Sequence, residues 1–273
     1  MRVLVGSDGS SDAITAVEWM ACLPLPPDRE VMVVTVVEPP RRFGVVRAAS
    51  EDLPAALIAE ARRVADDTAS RLLRGRKSTG RVVDGDPCGQ IVAVAGTWGA
   101  DLIVLGARGL GAIKELLLGS VSLGVVRQAP CPVLVCKGPP RTVRTVTVAL
   151  DGSEPARQAL GWIARLPLAS TLRVQLVGVA IDAEHRARIE AELAAAARTA
   201  SARVAAVAVT VATGEPSDHI LQEAERTGSD LVVVGARGVG AATRLLLGSV
   251  SESVLRRAGC PVLVVRPSPS SGA

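Results

Sequence analysis

The chain has 273 residues, about two domains' worth, and its 48% hydrophobic content is enough to fill two cores. One Phe, three Trp and no Tyr leave the filling to aliphatic side chains and remove the aromatic platforms on which single-stranded nucleic acid stacks, while 31 basic against 27 acidic residues give a net charge of only +4. Nucleic-acid binding is therefore not expected. Five cysteines, Cys22, Cys88, Cys131, Cys136 and Cys260, form no CxxC pair, which argues against a disulfide framework or a zinc site and for a reducing compartment. The chain enters an apolar strand at Val3 to Val5 without the longer apolar region of a signal peptide, and no apolar run is long enough to span a bilayer, so a soluble, cytoplasmic protein without membrane contact is expected.

Taken in order, the first half alternates short β-branched runs with helical patterns. Strands are predicted near Arg2 to Gly6, Glu30 to Val37, Arg81 to Gly85, Asp101 to Leu105 and Pro132 to Cys136. Helices are predicted between them, at Ser11 to Met20, Ala55 to Arg74, Cys88 to Trp98 and Ser120 to Gln128. The second half repeats this from about Val143 to Val265. Val5-Gly6-Ser7-Asp8-Gly9-Ser10 returns as Val148-Ala149-Leu150-Asp151-Gly152-Ser153 with an offset of 143 residues, and Trp19 with Leu23-Pro24-Leu25 returns as Trp162 with Leu166-Pro167-Leu168. Later blocks repeat with an offset of 129: Gly85-Asp86-Pro87 answers to Gly214-Glu215-Pro216, and Cys131-Pro132-Val133 to Cys260-Pro261-Val262. The first half thus carries 14 extra residues (143 minus 129), placed within Arg41 to Pro54. The expected architecture is α/β, two tandem doubly wound five-stranded parallel sheets covered by helices on both faces. Domains are set at 1–138 and 143–266, with Gly138-Pro139-Pro140 as a stiff hinge and 267–273 as a disordered tail.

The functional signal lies after the fourth strand of each half. Gly106-Ala107-Arg108-Gly109 is followed nine residues later by Gly119-Ser120-Val121-Ser122, and the same spacing recurs as Gly235-Ala236-Arg237-Gly238 and Gly248-Ser249-Val250-Ser251. Glycines between a strand and a helix start let backbone N–H groups approach an anion, and the helix N-terminus adds free donors and partial positive charge. No GxxxxGK[ST] and no GxGxxG after the first strand are present, so neither the P-loop nor the dinucleotide fingerprint applies. A phosphate-bearing ligand is expected in each half, with Gly109 and Gly119 lending N–H groups and the Ser120 and Ser122 hydroxyls adding donors; alternatively Ser120 caps the helix.

Asp8 and Asp151 follow the first strand of each half, opposite the glycine turn. Each is placed to accept from a ribose hydroxyl or base amine or to hold Mg²⁺ through water, with a helix N-cap as the competing role. Arg108 and Arg237 either contact phosphate, pair with a carboxylate of the other half, or face solvent. The basic run Arg62, Arg63, Arg71, Arg74, Arg76 and Lys77 reads as a solvated helix face. His185 and His219 lack a sequence partner for base or metal chemistry, and Cys131 and Cys260 read as packing residues.

These motifs resemble those of the universal stress protein family, whose hallmark G-x2-G-x9-G-[ST] is matched by Gly106, Gly109, Gly119 and Ser120 and by Gly235, Gly238, Gly248 and Ser249. The resemblance covers both halves and implies a tandem member with a Rossmann-like, adenine nucleotide alpha hydrolase-like fold. It implies ATP as ligand, with Mg²⁺ held through its phosphates, the phosphates lying on the motif positions Gly106, Gly109, Gly119 and Ser120 and Gly235, Gly238, Gly248 and Ser249, while Arg108, Val121, Ser122, Arg237, Val250 and Ser251 complete the candidate cofactor-binding set. Asp8 and Asp151 would lie at the adenosine end, and Val36 and Val179 would offer backbone contacts to adenine. It further implies a homodimer or an intramolecular pseudo-dimer through the last strands, Pro132 to Cys136 and Pro261 to Val265. Two positions depart from the family pattern: the proline often found two residues before the aspartate is Gly6 in one half and Ala149 in the other. The expected role is an ATP-dependent stress-response or regulatory protein without fast turnover; a slow ATPase or nucleotide-transferring enzyme, and a nucleotide-free scaffold, are the alternatives.

Overall fold

The computed structural model describes residues 1–38, 54–72, 78–109, 118–167, 169–238 and 247–266. The first half runs β1 (Arg2–Gly6), α1 (Ser11–Cys22), β2 (Glu30–Val37), α2 (Ala55–Leu72), β3 (Ser78–Asp84), α3 (Pro87–Trp98), β4 (Leu102–Gly106), α4 (Ser120–Gln128) and β5 (Val133–Cys136). The second runs β6 (Thr145–Ala149), α5 (Glu154–Ala164), β7 (Arg173–Ala180), α6 (Ala183–Ser201), β8 (Ala206–Thr213), α7 (Pro216–Arg226), β9 (Leu231–Gly235), α8 (Ser249–Arg257) and β10 (Val262–Val265). Residues 38–54 separate β2 from α2, against 181–182 between β7 and α6, which brackets the extra residues of the first half. Most of the segment assigned to them, 41–53, lies outside the described residues, as do Arg74, Arg76, Lys77 and the tail 267–273.

The strands form one ten-stranded sheet in the order β3-β2-β1-β4-β5-β10-β9-β6-β7-β8. Pairing is parallel within each half, while β5 and β10 pair antiparallel, with Leu134 opposite Leu263. The two five-stranded sheets expected from the repeat are thus halves of a single sheet. Val, Leu and Ile bury β4, β5, β9 and β10 on both faces, as central parallel strands require. Consequently the apolar interior is divided by face and not by half. One cluster joins Trp19, Met20 and Leu102 to Ile163, Leu176 and Leu193, and the other joins Leu4, Ile103 and Val125 to Ile220, Val232 and Val254.

Two cations fasten the halves in a reciprocal pattern. Lys137, just beyond β5, donates to the carbonyls of Leu255, Arg256 and Ala258 at the end of α8, at 2.5, 3.2 and 3.2 Å. Its repeat equivalent, Arg266, donates to the carbonyls of Val126 and Arg127 at the end of α4. Each side chain satisfies the orphan carbonyls and negative dipole end of a helix in the opposite half. Burial pushes the Lys137 ammonium down to about 8. The Gly138-Pro139-Pro140 link is itself tied down: Gly138 has φ of 64°, and the indole N–H of Trp19 donates to the carbonyls of Lys137 and Gly138 at 3.1 and 3.0 Å.

β3 starts at Ser78, three residues before the predicted strand, because its register with β2 runs unbroken from Ser78 opposite Val31 to Asp84 opposite Val37. Cys131 and Cys260 pack as read from the sequence, with burial raising their thiols to about 12 and about 11. Among the described residues no helix is long and apolar enough to cross a membrane.

Candidate functional site

In each half the chain leaves the first strand toward one neighbour and returns with the fourth strand on its other side, so a crevice opens between the C-terminal ends of those two strands. Asp8 comes from the end of β1. Its Oδ1 accepts the N–H of Ser10 at 3.0 Å, closing a short turn that Gly9 permits with φ of 78°. Ser10, and not Asp8, caps α1, its hydroxyl accepting from the N–H of Ala13 at 3.2 Å. Asp151, Gly152 and Ser153 repeat this geometry before α5. The N-cap role weighed for the aspartates therefore falls to the serines, and the other carboxylate oxygen, Oδ2, lies against the α-carbon of Gly109 or Gly238.

The three glycines of each motif have separate tasks. A methyl on Gly106 would meet the Asp12 carbonyl carbon at 2.5 Å, so this glycine lets β4 approach the start of α1. A methyl on Gly109 would collide with Oδ2 of Asp8, and one on Gly238 would stand 2.5 Å from Oδ2 of Asp151. Gly119 is the N-cap of α4, and its N–H donates to the Ala107 carbonyl at 2.7 Å; Gly248 does the same for α8, donating to Ala236 at 2.8 Å. Neither N-cap supplies a side-chain acceptor. Ser120 and Ser249 are thus the first helical residues and not the caps, and the first-turn N–H groups of Ser120, Val121 and Ser122, and of Ser249, Val250 and Ser251, are left at a positive helix end.

The Ser122 hydroxyl donates to the Gly106 carbonyl at 2.7 Å, and Ser251 to Gly235 at 2.6 Å. Each such proton holds the helix start to the end of the central strand, so the donor expected to reach phosphate belongs to the scaffold. Arg108 pairs with Asp12 of its own half, Nε and the backbone N–H both lying 3.1 Å from Oδ2, instead of reaching a carboxylate of the other half. Pro155 stands where Asp12 does in the repeat, so that pair is not duplicated at Arg237.

A cavity of about 550 Å³ lies in the first crevice and one of about 420 Å³ in the second. Asp8, Val36, Gly106, Arg108, Gly109, Gly119, Ser120, Val121 and Ser122 all line the first. Asp151, Val179, Gly235, Arg237, Gly238, Gly248, Ser249, Val250 and Ser251 all line the second. Each cavity therefore joins a helix start with a glycine N-cap, a glycine turn and a carboxylate to an apolar wall, with Val34 and Ile91 in one and Val177 and Ile220 in the other.

A sequence profile of the Universal stress protein family matches residues 1–137 and again 142–266. The chain belongs to the universal stress protein family. It is 32% identical over 299 residues to a universal stress protein of Mycobacterium tuberculosis, covering 97% of each chain. Likewise it is 30% identical over 295 residues to one of Mycolicibacterium smegmatis, again covering 97% of each. Among solved structures, a universal stress protein from Archaeoglobus fulgidus superposes with a TM-score of 0.76 at 25% identity, covering 97% of this chain and 96% of that one.

Beside the family motif, the two universal stress protein repeats add lining residues that sequence reasoning did not select. Pro87 and Pro216 open α3 and α7 beside the cavities, and they were visible as part of the repeated Gly85-Asp86-Pro87 block. Glu38 lines the first cavity where Ile181 lines the second. His185 also lines the second cavity; its Nδ1 accepts the N–H of Ile181 at 3.2 Å, and Asp182 caps its helix. His219 lies apart from the cavity, with Nε2 2.9 Å from the Thr213 carbonyl. Among the described residues, no group of three His, Cys, Asp or Glu side chains converges as a metal site.

Proposed function

We propose that this universal stress protein binds ATP in both cavities and works in the cytoplasm as a nucleotide-dependent regulatory protein, holding the nucleotide without fast turnover. The observation that carries this reading is the start of α4 and of α8: a glycine N-cap that offers no side chain to the first-turn N–H groups, at the positive end of a helix, opening beside a glycine turn into a cavity of nucleotide dimensions. Phosphates would lie on those N–H groups, and a Mg²⁺ accompanying them would offset their negative charge. Asp8 and Asp151 stand across the crevice, suited to accept from a ribose hydroxyl or a base amine, and the Val36 and Val179 wall suits a flat base. Holding is favoured over transfer because, among the described residues of the first cavity, three reactive groups beside the turn are engaged by the scaffold: the Ser122 proton by Gly106, the Arg108 side chain by Asp12, and one Asp8 oxygen by Ser10.

The test begins with protein purified without added nucleotide, denatured, and its released small molecules identified by mass spectrometry. One to two adenine nucleotides per chain are expected. Titrated ATP should also raise the melting temperature, since a ligand at about 1,000 times its Kd stabilises a fold by about 4 kcal/mol. No released nucleotide together with no thermal shift overturns the reading. Hydrolysis at about 1 per second or faster would overturn the absence of fast turnover.

A further inference from the structure

The two cavities share a frame but not a charge. Among the described residues, Asp8, Glu38 and Arg108 are the charged lining groups of the first, and Arg108 is paired with Asp12. Among the described residues of the second, Asp151 and Arg237 are the lining carboxylate and guanidinium, and Ile181 replaces Glu38. A triphosphate entering the first cavity thus meets one lining carboxylate, Glu38, that the second does not present. Apolar cover differs in the same direction. Ile181 is 74% exposed, the most exposed of the large hydrophobic side chains at the described surface, yet it sits on the cavity lining where a bound base would cover it. Its backbone N–H is donated to Nδ1 of His185, which points the other ring nitrogen, Nε2, away from that bond. The first turn of α2, Ala55-Ala56-Leu57-Ile58, offers no imidazole at the matching place.

We propose that the cavities are ranked: the second is the high-affinity site for a polyanionic nucleotide, and the first is a weaker site that favours ligands of lower charge, with Glu38 and Ile181 as the determinants. This rests on the nucleotide-binding reading above. A carboxylate about 10 Å from a triphosphate, in a medium between protein surface and water, changes affinity by about tenfold.

The experiment is calorimetric titration of the full chain, stripped of nucleotide, with ATP and with adenosine. ATP should bind in two steps with Kd values at least about tenfold apart, and Gly238→Ala should remove the tighter step. Glu38→Gln, an isosteric change at an exposed position, should strengthen the weaker ATP step about tenfold and leave adenosine unchanged; Ile181→Glu should weaken the tighter step by a similar factor. Equal ATP constants, loss of the tighter step in Gly109→Ala instead, or exchange variants that move neither step would overturn the ranking while leaving nucleotide binding in place. Absence of any ATP binding would overturn the underlying reading and the ranking with it.

Discussion

At Gly109 and Gly238 the missing side chain makes room for a carboxylate, because a methyl at either position would press on Oδ2 of Asp8 or Asp151. Gly109→Ala should therefore rotate Asp8 away and remove measurable ATP binding at the first cavity, while the fold loses little, since the displaced atom is the end of a flexible side chain. Calorimetric titration against a melting curve separates the two effects. Ser122→Ala makes the opposite expectation. Loss of its hydrogen bond to Gly106 should cost about 1 kcal/mol in urea denaturation, with ATP affinity changed less than twofold, because the backbone N–H of residue 122 is kept. Glycine spacing was legible in the sequence since it follows the chain. The engagement of Ser122 by Gly106 and of Arg108 by Asp12 was not, because each partner is brought up by another element: Asp12 lies 96 residues from Arg108.

Helices and strands were mostly legible for the same reason. Buried β-branched runs are local signals, whereas the caps Ser10 and Ser153 were missed because Asp8 and Asp151 two residues earlier offer the same kind of acceptor, and the start of β3 was hidden because Ser78-Thr79-Gly80 lie on a partly exposed edge strand with little apolar pattern. The cross-half helix caps were also hidden. Lys137 and Arg266 are repeat equivalents directly after their last strands, but the carbonyls that give them meaning belong to the opposite half. Lys137→Met should cost about 2 to 3 kcal/mol, since three carbonyls at the end of α8 lose a charged donor. Its titration has a definite sign. The folded ammonium loses its proton near pH 8 and the unfolded one near 10.5, so between these values the unfolded state binds more protons and stability contributed by this residue rises with pH. Burial raises the thiols of Cys131 and Cys260, which pulls stability down above about pH 9, so the lysine contribution is read as the difference between wild type and Lys137→Met across pH 7.5 to 10. A constant difference would contradict it.

For the whole molecule, the repeat announced two domains, and the pairing of β5 with β10 makes them one sheet with a core on each face. Both cores cross the boundary between halves, so unfolding should be a single cooperative transition, with calorimetric and van't Hoff enthalpies equal. Leu263→Ala, at the buried junction opposite Leu134, should lower that one transition by about 2 to 5 kcal/mol and not split it. Two separate transitions would mean that the halves fold independently. The same continuous sheet sets the two crevices in one rigid frame, and the claim that both hold ATP is tested most directly by equilibrium dialysis of the nucleotide-stripped full chain against labelled ATP. Two nucleotides bound per chain at saturation, falling to one in Gly109→Ala and to one in Gly238→Ala at ATP concentrations that saturate the wild type, is the predicted result. Saturation at one per chain, or binding that neither substitution reduces, would contradict it.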